Sequence, residues 1–158
     1  MKRGAREPGS REEFAAYCRS RGLSVTTQRQ AIFEALASSR EHPSAEQLHR
    51  AVQRKLPSLS LATVYKNLEA LRAIGAVADV NPLHQEARYE TTLPGTGAGR
   101  PHHHLVCVSC KKVRDLLDDG LDGLRIIDAQ GFEVQAVRVQ AEGLCPDCQP
   151  RSRRAQRA

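Results

Sequence analysis

The chain has 158 residues, a formal net charge of +6 and 4% aromatic residues. That length suits one ordinary domain or two small ones, and no apolar run approaches the roughly 20 residues of a membrane helix. Met1-Lys2-Arg3 has no apolar stretch behind it, so no secretory leader is expected and a cytoplasmic location is.

The charge is unevenly placed. Residues 1–90 hold 14 Lys and Arg against 10 Asp and Glu, residues 91–150 hold 6 against 8, and residues 151–158 add four Arg. A basic first half fits contact with a polyanion or a plain solvated surface.

Ser10-Arg11-Glu12-Glu13 reads as a capping box opening a first helix, with Phe14, Cys18 and Arg21 at helical spacing and Gly22 as its end. Thr26 or Thr27 caps a second helix whose apolar stripe is Ile32, Phe33 and Leu36. His42-Pro43 breaks it. Ser44-Ala45-Glu46-Gln47 is another capping box, starting a third helix with Leu48, Ala51, Val52 and Leu56 inward and Pro57 as its stop. Ser60 caps a fourth helix that buries Val64, Leu68 and Leu71 at i, i+4 and i+7 and ends at Gly75. Ala76 to Val80 and Ala87 to Thr91 read as short strands of a hairpin around Asn81-Pro82. Helices followed by a hairpin is the order of a winged helix-turn-helix over residues 1–90.

Residues 91–101 contain three glycines and two prolines and are expected to form a hinge. Residues 102–150 are expected to form a second, small α/β domain, giving an α+β chain. Its predicted strands are His103–Val108, Lys112–Leu116 and Phe132–Val139, and its predicted helix is Asp118–Gln130, capped by Gly131. The Arg-rich residues 151–158 read as a disordered basic tail.

Four of the five cysteines form two C-x2-C pairs, Cys107/Cys110 and Cys145/Cys148, with 34 residues between the pairs. Two such turns supply the all-sulfur tetrahedral shell that zinc prefers, with no open position, so the site reads as structural. Two disulfides or a redox motif are the competing readings, although a redox pair usually stands alone at a helix start. Cys18 reads as plain core.

His102, His103 and His104 precede Cys107. In a strand His102 and His104 share one face, and His103 points to the other. With His42, Glu90 and Asp115 they make a three-imidazole, two-carboxylate set suited to Fe(II), Mn(II) or Zn(II). A solvated His triplet is the plain alternative. His49 and His84 read as solvated surface.

On the fourth helix Thr63, Lys66 and Asn67 fall away from the apolar stripe, with Tyr65 at the edge. Thr and Tyr can touch thymine methyls, Asn can pair with adenine, and Lys can reach guanine or phosphate. The alternative is an ordinary amphipathic helix with a polar outer face.

From about Phe14 to Cys148 these residues resemble the ferric uptake regulator superfamily. The resemblance is carried by Thr27-Gln28-Arg29, His42-Pro43-Ser44-Ala45, Ser60-Leu61-Ala62-Thr63-Val64-Tyr65-Lys66-Asn67-Leu68, Arg88-Tyr89-Glu90, and the run from His102 to Cys110. It implies a homodimeric winged-helix repressor that binds an AT-rich inverted repeat of double-stranded DNA when a divalent metal, Fe(II) or Mn(II), is loaded. It implies His42, Glu90, His102, His104 and Asp115 as the regulatory site, the four paired cysteines as the zinc site, and residues 102–150 as the dimerisation domain. Arg29, Ser60, Thr63, Tyr65, Lys66 and Asn67 are the expected DNA contacts. Asp115 is similar to the peroxide-sensing branch, whose ligand histidines are oxidised by peroxide at the iron. Glu90 is more similar to the iron-sensing branch, and the segment from Glu90 to His102 is longer than the family's usual spacing. A small metal-dependent hydrolase or redox enzyme is the competing class. It would need a base poised beside an open metal, and the chain offers no second acidic cluster or nucleophile motif.

Overall fold

A computed structural model describes residues 11–39, 41–80, 87–93, 102–135 and 137–150. The elements are α1 Arg11–Ser20, α2 Thr27–Ala37, α3 Ala45–Gln53, α4 Leu61–Ala73, β1 Val77–Asp79, β2 Tyr89–Thr91, β3 His103–Cys107, β4 Val113–Leu116, α5 Asp119–Asp122 and β5 Gln140–Gly143. They divide into two compact units, one within Met1–Arg100 and the other within Pro101–Ala158. The Ser10 cap, the turn at Asn81-Pro82, His84, the hinge residues 94–101 and the tail from Arg151 lie outside the described residues.

The first unit is built by local signals that agree with one another. Thr26 accepts from the Arg29 amide, Ser44 forms a full capping box with Gln47, and Ser60 accepts from the Thr63 amide. These bonds satisfy donors that helix starts leave open. Gly22 and Gly75 stand at φ +71° and +72°, the left-handed turn that lets the chain leave α1 and α4. Phe14 stacks on Phe33 with ring centroids 4.2 Å apart, which clamps α1 to α2. Ile32, Leu48, Val64, Leu68 and Leu71 complete a core shared by α2, α3 and α4. Ala51, expected inward, is exposed; Leu59 in the α3–α4 connection is buried in that core instead.

Behind α4 the chain forms an antiparallel wing, with Val77 opposite Thr91, Ala78 opposite Glu90 and Asp79 opposite Tyr89. The wing therefore holds Glu90 at a defined register. Tyr17 reinforces the α4 exit by donating to the Ile74 carbonyl at 3.0 Å.

The second unit is a three-stranded sheet in the order β4-β3-β5. β3 runs antiparallel to β4, with His104 opposite Asp115, and parallel to β5, with Cys107 opposite Gly143. Two expectations fail here. The helix over 118–130 shrinks to Asp119–Asp122, and the strand over 132–139 gives way to β5 at Gln140–Gly143. Gly120 and Gly123 each cost a helix about 1 kcal/mol relative to Ala. The apolar residues meant to bury its face, Leu124, Ile126 and Ile127, are exposed, so no tertiary packing offsets that cost. Gly131 does take a positive φ of 83°, but after a turn closed by the Phe132 amide on the Ala129 carbonyl, not after a helix.

Candidate metal centres and nucleic-acid interface

Strand β3 ends on Cys107, and β5 ends two residues before Cys145. Their parallel pairing brings both C-x2-C turns to one end of the sheet. The four sulfurs of Cys107, Cys110, Cys145 and Cys148 all lie within 4.8 Å of one another. Each turn is closed by its backbone, Lys111 donating to the Cys107 carbonyl and Cys148 to the Cys145 carbonyl, both at 2.9 Å. Lys111 accepts the left-handed conformation, at φ +59°, that the first turn requires. All five cysteines are free thiols.

Backbone N–H groups prepare the Cys107 sulfur for a cation. The amide of Cys110, and then that of Cys145 at 3.3 Å, lower the Cys107 thiol to about 6. For Cys148 the Ser109 bond pulls downward, but the bonds with Cys145 and Cys110 outweigh it and push the thiol up to about 11. A sulfur that ionises readily beside three further thiols suits a site in which a metal displaces protons. The donor set fits zinc with every position filled. Cys18 has no part in it: it is fully buried in the first unit's core, and burial raises its thiol.

The imidazole and carboxylate candidates form a group in each unit. In the first, His42 Nδ1 lies 3.9 Å from Glu90 Oε2. The residue after His42 is bonded to the wing, because the Tyr89 amide donates to the Pro43 carbonyl at 3.1 Å. Gln47 Oε1 also accepts from Arg88 Nη1 at 2.7 Å and from the Ser44 amide at 2.9 Å. These bonds join the start of α3 to β2.

In the second unit His102 Nε2 lies 3.7 Å from Asp115 Oδ1, and the rings of His102 and His104 meet edge-on with centroids 4.8 Å apart. His103 is turned elsewhere and its Nδ1 accepts from the Val139 amide at 2.9 Å. It pins the approach to β5, a structural role that the sequence pattern does not reveal. Mixed imidazole and carboxylate donors of this kind suit Fe(II), Mn(II) or Zn(II).

The expected DNA contacts separate into four groups. Lys66 is exposed and Tyr65 is 44% exposed, so both stand on the open face of α4. Ser60 and half-buried Thr63 cap that helix, their hydroxyls 2.8 Å apart. Asn67 is a correction: it is 6% exposed, and its amide donates to the Thr63 carbonyl at 2.8 Å. Its position three residues after Val64 and one before Leu68 turns it toward the core side of the helix. Arg29 is half-buried and its guanidinium bonds the Ser24 carbonyl, bracing the entry to α2. His49 is likewise half-buried, with Nε2 2.7 Å from the Leu59 carbonyl, and not simply solvated.

Sequence reasoning passed over Glu46. One of its oxygens accepts from the Tyr65 hydroxyl at 2.7 Å and the other from the Ser44 hydroxyl at 2.8 Å. These bonds, that from Tyr65 first, lower the Glu46 carboxyl below its ordinary value. The stability they add is present above the ordinary carboxylate range and is lost as pH falls through the depressed value.

Comparisons with known proteins place this architecture. The chain is 33% identical over 129 residues to the peroxide operon regulator of Bacillus subtilis, covering 80% of this chain and 85% of that protein. It is 32% identical over 139 residues to the peroxide-responsive repressor PerR of Staphylococcus epidermidis, covering 87% and 89%. Its structure is similar to that of a zinc-bound manganese uptake regulator, with a TM-score of 0.67 and 25% identity over 84% of this chain and 98% of that one. Residues 20–142 match the ferric uptake regulator family, and the chain belongs to that family.

Proposed function

We propose that this protein is a metal-dependent, DNA-binding transcriptional repressor that responds to peroxide. The observation that carries the reading is the pair of imidazole–carboxylate groups, His42 with Glu90 and His102 with Asp115, held by the wing and by the β3–β4 register. Under this reading His42, Glu90, His102, His104 and Asp115 form one regulatory site for Fe(II) or Mn(II). Cys107, Cys110, Cys145 and Cys148 hold a structural zinc ion.

Residues 1–90 act as the winged-helix DNA-binding domain, 91–101 as the hinge, 102–150 as the dimerisation domain and 151–158 as a basic tail. The exposed apolar residues of the second unit, Ile127 and Phe132 among them, support a homodimer that covers them. Two copies suit an inverted repeat, here proposed as AT-rich. Tyr65 and Lys66 are the leading DNA contacts, with Ser60 and Thr63 beside them at the helix start. Arg29 has one guanidinium nitrogen on the Ser24 carbonyl and is the weaker candidate for phosphate, and Asn67 supports the helix from within. No helix among the described residues is long and apolar enough to cross a membrane, which agrees with a cytoplasmic regulator, and no organic substrate or catalysis is assigned.

Bound Fe(II) supplies reactivity toward hydrogen peroxide that Mn(II) lacks. The chain's part is to present His42 and His102 as the groups that gain oxygen. An oxidised imidazole is a poorer donor, so the two groups lose their common metal and repression ends. Two relatives named for peroxide support this reading. Glu90, more similar to the iron-sensing branch, and the likeness to a manganese uptake regulator favour a second reading, a sensor of metal level alone.

Mass spectrometry after mild peroxide separates the two. The Fe(II) protein should gain one oxygen on a peptide holding His42 or His102 and leave DNA, and the Mn(II) protein should do neither. Unmodified histidines with DNA binding intact would place the protein with the metal-level sensors. A wild-type protein that ignores AT-rich inverted repeats with Mn(II) present would end the repressor reading itself.

A further inference from the structure

We propose that Glu46 is the positioning residue of the DNA-reading helix, holding the Tyr65 hydroxyl so that the ring stands ready on the open face of α4. The proposal rests on the reading of α4 as the DNA-contacting element.

A half-exposed tyrosine on a helix ordinarily samples several rotamers, and any partner must order it on binding. Tyr65 differs because its hydroxyl donates to Glu46 Oε1 at 2.7 Å. A short O–H···O bond to a carboxylate is among the stronger neutral-to-charged contacts. Glu46 is itself anchored. Its second oxygen accepts from the Ser44 hydroxyl at 2.8 Å, and the buried Ser44 is the N-cap of α3. The Ser44 amide donates to Gln47, which Arg88 also holds. The carboxylate lies in the first turn of α3, where the helix dipole favours negative charge. The brace on Tyr65 thus begins two residues after His42 and reaches Arg88, the residue before the strand that carries Glu90.

A free carboxylate beside the reading helix would repel DNA phosphate. Glu46 keeps its charge with each oxygen accepting a hydroxyl, so for the brace to favour binding, ordering the Tyr65 ring before DNA arrives must outweigh that repulsion. Preorganising one such side chain is worth roughly 3- to 10-fold in affinity.

The test uses full-length, zinc-containing, Mn(II)-loaded protein labelled with 3-fluorotyrosine. The chain has three tyrosines, Tyr17, Tyr65 and Tyr89, so it should give three fluorine resonances, and Tyr65→Phe identifies one by its loss. Glu46→Ala should move the Tyr65 resonance most; Tyr89, which feels the Glu46 charge, should shift less, and Tyr17 should not move. Glu46→Ala and Tyr65→Phe should each weaken binding to an AT-rich inverted repeat by about 3- to 10-fold. The double variant should be no worse than either single one, because both remove the same bond. Glu46→Gln, which keeps an acceptor oxygen for Tyr65, should restore most of the affinity.

Wild-type or tighter binding by Glu46→Ala overturns the proposal, since the carboxylate would then only repel phosphate. Losses that multiply in the double variant overturn it too. If Glu46→Ala disturbs all three resonances, Tyr65→Phe decides: wild-type affinity there overturns the proposal, and a loss of the stated size sustains it. If the wild-type protein binds no such DNA, the repressor reading falls and takes the brace's role in DNA reading with it. The fluorine shift would still show whether Glu46 holds Tyr65.

Discussion

Cys107→Ser should lose its zinc and, with it, the folded second unit and the dimer. Among the described residues of that unit, only Val106, Cys107 and Val113 are deeply buried and apolar, a core too small to fold on hydrophobic burial alone. A structural zinc site of this kind contributes about 10–16 kcal/mol at neutral pH. Ser supplies no thiolate, so one of the four sulfur donors is lost. The same result is expected for Cys145→Ser. Cys18→Ala should keep the metal, because that thiol sits in the other unit's core. Metal analysis and sedimentation read the outcome. One full zinc equivalent with an intact dimer in Cys107→Ser would remove the four-cysteine assignment.

His42→Ala should bind operator DNA as weakly as metal-free, zinc-containing wild type. On the proposed reading, a metal drawing donors from both units would select one arrangement of the two reading helices, and such coupling is usually worth about 5- to 150-fold in affinity. His42 is buried beside Glu90, so its loss removes an imidazole donor and leaves a carboxylate without its neighbour. The first unit should stay folded, because its core lies among α1, α2, α3 and α4. Anisotropy titrations with and without Mn(II) measure the ratio. Equal affinities for metal-free and Mn(II)-loaded wild type would take metal out of the mechanism. A His42→Ala variant that still responds fully to Mn(II) would take His42 out of it.

The parts legible in advance were those encoded over a few residues. The caps at Thr26, Ser44 and Ser60 stand as the local pattern implies, and so do the stripe of Val64, Leu68 and Leu71 and the two strands of the wing. Each depends on neighbours within one or two turns of chain, where spacing alone sets geometry. The C-x2-C pairs were equally plain, since ligand spacing is a chemical requirement of the turn.

The second unit was less legible. The predicted helix over 118–130, with Gly131 as its cap, forms only at Asp119–Asp122, and Leu124, Ile126 and Ile127 remain exposed. Periodicity shows that a face wants cover and not whether this chain supplies it. β5 falls at Gln140–Gly143 because pairing alongside β3 must deliver Cys145 to Cys107, and that long-range demand outweighs the alternation at 132–139.

By itself, then, the sequence determined the helix caps, the core stripe of the first unit, the wing strands and which residues are candidate metal donors. All of these follow from short-range spacing and side-chain chemistry. Only the tertiary structure decided what those donors and polar groups touch. It turned Asn67 inward onto Thr63, tied Arg29 to Ser24, gave His103 to the Val139 amide and placed Glu46 of one helix on Tyr65 of the next. The reason is physical: a hydrogen bond between residues 19 or 36 positions apart is set by how whole elements pack, and no periodicity in the chain records it.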